Sequence, residues 1–364
     1  MESMLGDIFI HVDLATTLQV VLIGFIGGIL SGFIGSGGAF FMTPGMMNLG
    51  VQGVVAVASN IAHKFGKAMV GSHSHGKMGN VDKKLAMFLL GTAAVGIRLA
   101  VWINSLLFSE GEGASKGAGS NLYISLVFVG ILTAVAISMI KDVMGSSGEG
   151  EGAGPSRKIA DFMGRIYLPP FIYFKVADVR VSLWVLLVVG LATGYLAGTI
   201  GVGGFIGVPA MIYVFGIPTA VAAGTELYLA MWMGAFGALN YAWAGFVDIR
   251  LTLLLYLGSL IGVHLGTYGV KVVNERYIRM VTGLIILLCV FSRAIAIPMY
   301  LRQLGLADLN PAWDAYFQGG SKILLFASGI AGSVLILYQV GRAYRQRRRI
   351  KSTMAVGRVP AQVS

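Results

Sequence analysis

The sequence is short of what soluble enzymes and secreted domains use most. It has one cysteine in 364 residues, Cys289, so no intrachain disulfide framework can form. Only 12% of its residues are charged, against about 25% in an ordinary soluble domain, which argues against a cytosolic enzyme. Proline is scarce, at nine residues, so long helices can run with few breaks. The first residues, MESMLGDIFIHVDL, lack a basic n-region and a small-residue cleavage site, and no removable signal peptide is expected.

What is present is apolar and rich in glycine. Hydrophobic residues make up 56% of the chain, mean hydropathy is +0.79, and there are 52 glycines. Apolar runs of membrane-crossing length recur from Val20 to Leu337. The composition predicts an all-α polytopic membrane protein. Full spans are expected at 52–72, 85–107, 122–142, 218–244, 250–270, 280–300 and 322–342. Two further stretches, 14–50 and 181–216, are each interrupted by a glycine cluster and read as broken, re-entrant hairpins.

The net charge of +11 would raise the question of nucleic acid in a soluble protein. Here topology accounts for it. Of the 27 Lys and Arg residues, 19 fall in loops on one side of these spans and 4 on the other. That bias places the tail RAYRQRRRIK in the cytoplasm of a cell (inner) membrane and the N-terminus outside. No nucleic-acid partner is expected. Gly145–Ser156 reads as a flexible linker, and Arg157–Lys175 as a segment lying on the inner surface.

An internal repeat sets the architecture. At an offset of 166 residues Gly24, Gly28 and Gly32 fall on Gly190, Gly194 and Gly198, and Gly37-Gly38 fall on Gly203-Gly204. Gly71 falls on Gly237 and Val81-Asp82 on Val247-Asp248. By the charge count the two halves are inverted, the plan of many secondary transporters. The expected units are a first repeat over 1–144, a linker over 145–180, a second repeat over 181–300, an outer loop with an extra span over 301–342, and a basic tail over 343–364.

The paired motifs SGFIGSGGAFFMTP (31–44) and AGTIGVGGFIGVP (197–209), each followed by a span ending in G-x-V-D, resemble the TauE/SafE sulfite exporter family. The resemblance covers roughly 14–300 and implies a multipass carrier of small sulfur-containing anions such as sulfite or organosulfonates. The linker 145–180, the extra C-terminal span and His63-Lys64 with Lys67 depart from the family pattern.

The glycine clusters Gly35-Ser36-Gly37-Gly38 and Gly201-Val202-Gly203-Gly204 are the first candidates for a substrate site. Such stretches let backbone leave helical geometry, and the half-helix that follows presents a positive end to an oxyanion. The competing reading is close packing of small residues. Ser59-Asn60 and Thr225-Glu226 occupy matched positions and could donate to an anion, while Glu226 could carry a proton. Lys64 lies on one helical face with Asn60 and could attract the anion. Lys67 is read as snorkelling to the interface. Arg98 and Arg293 are candidate counter-ions of Glu226.

No cofactor and no metal are expected. His73 and His75 are placed in a loop tip without cysteine or acidic partners, and His264 in packing. A serine hydrolase built on Ser36 is disfavoured because the second repeat has Val202 there. The expected partners are a small anionic substrate and the lipid bilayer. Protons and a second copy of the chain are further candidates. The sequence therefore predicts a non-enzymatic exporter working by alternating access, with an anion channel or a non-transporting membrane sensor as rivals.

Overall fold

The computed structural model describes residues 8–34, 38–109, 116–145, 168–201, 203–270, 273 and 275–356. Gly35, Ser36, Gly37 and Val202 lie outside them, as do residues 157–167 of the segment read as interfacial.

The chain is helical nearly throughout. The helices are α1 (Leu14–Ile34), α2 (Ala39–Asn48), α3 (Gly53–Lys77), α4 (Lys83–Ser109), α5 (Ala118–Gly145), α6 (Leu183–Ile200), α7 (Gly204–Pro209), α8 (Thr219–Trp243), α9 (Ile249–Val270), α10 (Glu275–Gln303) and α11 (Trp313–Val356). Among the described residues seven helices are long and apolar enough to cross a membrane: α1, α4, α5, α6, α9, α10 and α11. Helices α3 and α8 have 25 residues each but carry His63, Lys64, Lys67 and Glu226, and so fall outside that apolar set. Each expected hairpin resolves into one helix of spanning length and a short partner, α1 with α2 and α6 with α7. At 1.5 Å per residue the ten residues of α2 reach about 15 Å, half a bilayer core.

The repeat is built into the packing, and the halves are interlocked. Helix α1 runs parallel to α9 of the other half: a Cβ at Gly24 would meet the Leu255 carbonyl at 2.6 Å, and one at Gly28 the Ser259 carbonyl at 2.6 Å. The same parallel pairing joins α6 to α4, where Gly190 rests on Leu89, Gly194 on Ala93 and Gly198 on Ile97 and Ala100. The regularly spaced glycines of the repeat thus let helix backbones touch, where no larger residue fits. At the centre α3 and α8 pack antiparallel. Gly71 meets Leu227 and, one repeat on, Gly237 meets Ile61. Equivalent residues making reciprocal contacts across antiparallel helices describe two inverted repeats.

Hydrogen bonds follow the same reciprocity. The Asp82 amide donates to Thr225 Oγ1 at 3.0 Å, and the Asp248 amide donates to Ser59 Oγ at 3.2 Å. Each aspartate also caps its own helix: Asp82 Oδ1 accepts from Leu85 N and Asp248 Oδ1 from Arg250 N.

The segment Arg157–Lys175, read as interfacial, ends in a short strand pair at its described end. Phe171–Phe174 and Val179–Ser182 form a two-stranded antiparallel hairpin, β1–β2, with Phe171 opposite Ser182. Its turn amides at Val176 and Ala177 both donate to Asp82 Oδ2, at 3.0 and 3.1 Å, which holds the hairpin on the start of α4. Likewise His73 and His75 are not in a loop tip, because α3 continues to Lys77.

Candidate functional site

The second hairpin breaks in the interior of the bundle. Helix α6 ends at Gly201, whose φ of +79° is left-handed and favours glycine. A helix end leaves carbonyls without intrahelical partners, and in an apolar bundle each must find a donor. Here they do. Gly201 N donates to Ala197 O at 2.9 Å, Tyr241 Oη to Gly198 O at 2.7 Å, Asn104 Nδ2 to Thr199 O at 3.3 Å, and Thr43 Oγ1 to Ile200 O at 3.3 Å. Asn104 Nδ2 also donates to Tyr241 Oη at 2.7 Å, so side chains from α2, α4 and α8 form one cap. None of these three residues stood out in the sequence, where no repeat match or charge marks them.

Polar groups of the first half face this break. A Cβ on Gly201 would lie 3.1 Å from Asn60 Nδ2 and 3.3 Å from Thr43 Oγ1, and one on Gly203 would lie 3.3 Å from Lys64 Nζ. Lys64 lines a cavity of about 10 Å³ with Gly198, Gly201, Met233 and Gly237. That is room for about one water molecule.

Beyond the break, α7 lasts six residues, contains Pro209, and gives way to a π-helical turn over Ala210–Val214. Such turns are rare and concentrate at functional sites. Gly207 of α7 lies directly against the Glu226 carboxylate, leaving no space for a Cβ. Glu226 is 3% exposed, and among the described residues neither of its carboxylate oxygens has a hydrogen-bond partner. The cation whose field reaches it is Lys64.

The structure places the remaining candidates as follows. Asn60, the repeat counterpart of Glu226, donates to Thr43 Oγ1 at 2.8 Å and to Ala39 O at 3.4 Å, within its own hairpin. The Ser59 and Thr225 hydroxyls receive the Asp248 and Asp82 amides and so join the two repeats. Gly38 packs against the Gly27 carbonyl. Gly204 is the first residue of α7. The pairing of Glu226 with Arg98 or Arg293 does not form. Arg98 is exposed and donates to Asn240 Oδ1 at 3.1 Å. Arg293 is 1% exposed and bonds Asn48 Oδ1 at the C-terminal end of α2 and Ser321 Oγ of α11. A helix C-terminus is a favourable place for a cation.

Lys67 is not free at the interface either, because its ammonium bonds the Ser31 hydroxyl of α1. His63 Nε2 is tied to Ser259 Oγ at 2.7 Å, and His264 Nδ1 meets the Leu260 carbonyl at 2.6 Å. Among the described residues no group of three metal-ligating side chains comes together.

Comparison with known proteins agrees with this architecture. The family described as Sulfite exporter TauE/SafE matches residues 20–293. The chain is 26% identical over 273 residues to "Probable membrane transporter protein YjnA" of Bacillus subtilis (strain 168), covering 74% of this chain and 97% of that one. It is 24% identical over 252 residues to "Probable membrane transporter protein YdhB" of the same organism, covering 68% and 88%. No solved structure matches. The matched region takes in most of the first hairpin, all of the second, the capped break, Lys64 and Glu226, and the chain belongs to the sulfite exporter TauE/SafE family.

Proposed function

We propose that this membrane transporter is a secondary carrier, not an enzyme, and that it exports a small sulfur-containing oxyanion, sulfite or an organosulfonate, by alternating access with proton coupling. The observation that carries the reading is the Glu226 carboxylate, buried beside the α6–α7 break without a partner among the described residues and opposed by Lys64. A buried carboxylate with no donor is costly, and such a group inside a membrane bundle is a functional site by default.

In this reading Lys64 holds the anion at the break and Glu226 takes a proton as the anion arrives, so charge is balanced while both cross. The cavity beside Lys64, about 10 Å³, is too small for an oxyanion, so the structure corresponds to a closed state. The short α7 and its π-turn supply the segment that moves to admit substrate. The excess of basic residues on one side of the spans supports a cytoplasmic C-terminus in the cell membrane. An inside-negative potential then favours outward movement of whatever anion charge the proton leaves uncompensated, by about 2.3 kcal/mol per charge per 100 mV.

The test is flux of labelled sulfite and methanesulfonate in proteoliposomes, comparing wild type with Lys64→Ala. Saturable wild-type flux that the variant loses supports the reading. Absence of saturable flux for both anions contradicts it, and undiminished flux in the variant removes Lys64 from the site.

A further inference from the structure

Helix α3 carries two lysines one turn apart, and they address different hairpins. Lys64 faces the break of the second hairpin at Gly203. Lys67 bonds Ser31 of α1, one turn before α1 ends in the first hairpin. Both lysines are half-buried, and among the described residues neither closes a salt bridge. Among the described residues the carboxylate that interacts electrostatically with Lys64 is that of Glu226. Two ammonium groups against one carboxylate leave a positive charge uncompensated inside the bundle, a costly arrangement unless an anion joins them.

A second observation concerns the helix between them. The Tyr256 hydroxyl of α9 donates to Ala62 O at 3.1 Å and accepts from Gly66 N at 2.9 Å. Ala62 and Gly66 are an i, i+4 pair, so the tyrosine has entered the hydrogen-bond ladder of α3 at the turn that carries Lys64. Insertion of a side chain there is a recognised cause of a helix bend, and it gives the Lys67 end freedom to shift against the Lys64 end. His63 is held by Ser259 of the same helix α9.

We infer that Lys67 and Ser31 form a second anion position, on the Lys77 side of Lys64, at which the substrate oxyanion waits before reaching the break. Ser31 is 4% exposed, and its hydroxyl can turn from Lys67 to donate to an anion oxygen, with the ammonium beside it. The ligand class is the oxyanion of the proposed function, on which this inference rests. Lys67 would set how readily the anion enters from one face, and Lys64 how it is held at the centre.

The experiment uses full-length protein reconstituted in a single orientation, with labelled sulfite offered from either face. Wild type is compared with Lys67→Gln, Lys67→Arg and Ser31→Ala. The expected result, measured as exchange against saturating sulfite on the opposite face, is a KM for entry from the Lys77 face raised about 10-fold in Lys67→Gln, the size of one lost charge-assisted hydrogen bond. Entry from the other face keeps its KM, kcat changes less than twofold, and Lys67→Arg restores the wild-type value. Ser31→Ala shifts the same KM in the same direction by a smaller factor and serves if Lys67→Gln does not fold. Wild-type transport with an unchanged, or equally changed, KM from both faces overturns the second position and leaves the carrier standing. Absence of saturable wild-type transport overturns both.

Discussion

The two hairpins occupy equivalent places in the inverted repeat and are finished in opposite ways. In the first, α2 is ten residues long with every residue buried, and its C-terminal Asn48 is fastened by Arg293, Ser292 and Ser321. Its polar residue on the following helix, Asn60, is engaged by Thr43 and Ala39. In the second, α7 is six residues long and dissolves into a π-turn, position 209 holds proline where the first hairpin has Thr43, and Glu226 stands where Asn60 stands, with no donor among the described residues. The first hairpin is anchored at its C-terminal end; the second is short and irregular and faces an unengaged carboxylate. Symmetry supplies the frame, and the departure from it supplies the chemistry.

Several substitutions break or sharpen that contrast. The largest effect is expected at Gly207, because any side chain there displaces the Glu226 carboxylate. Gly207→Val should lower anion flux about 100-fold, a loss on the scale of a few kcal/mol, while the protein still purifies as folded; flux within twofold of wild type would show that the carboxylate has slack. Next is the cap of α6. Tyr241→Phe removes the donor to Gly198 O and should cost about 1–3 kcal/mol, the penalty for a buried carbonyl left unpaired, read as a lower unfolding midpoint in detergent.

The clasp on the first hairpin comes third. Ser321→Ala removes a hydroxyl shared by Arg293, Asn48 and Ser292, and should cost about 1 kcal/mol while leaving the KM for the anion unchanged. The smallest effects test the symmetric frame. Ser59→Ala and Thr225→Val each delete one acceptor for an aspartate amide, and should cost about 0.5–1.5 kcal/mol apiece, equal within error. Unequal losses would mean that the reciprocal bonds are not energetically equivalent.

Much of the frame is legible in the sequence because it is written in glycine. Gly24, Gly28 and Gly32 recur as Gly190, Gly194 and Gly198 since both sets press a first helix onto the fourth element of the other half. The central polar helices are visible through Lys64, Lys67 and Glu226, whose presence in apolar spans is itself a signal. The cap formed by Thr43, Asn104 and Tyr241 is not legible, since it joins single residues from three distant helices through bonds to backbone carbonyls. The β1–β2 hairpin is hidden for another reason. Its strands are four residues each, and their aromatic and basic side chains equally suit a helix at the membrane surface. Arg98 and Arg293, the expected counter-ions of Glu226, lie deep in their spans, but depth along a helix does not say which face a side chain takes.

The most direct measurement of Glu226's role is the internal pH of proteoliposomes during sulfite movement, in wild type and Glu226→Gln. Wild type should move protons with sulfite, whereas the variant should keep labelled sulfite-for-sulfite exchange, lose the coupled pH change, and unfold at the same or a higher temperature. Proton movement undiminished in Glu226→Gln would contradict the assignment of coupling to this carboxylate.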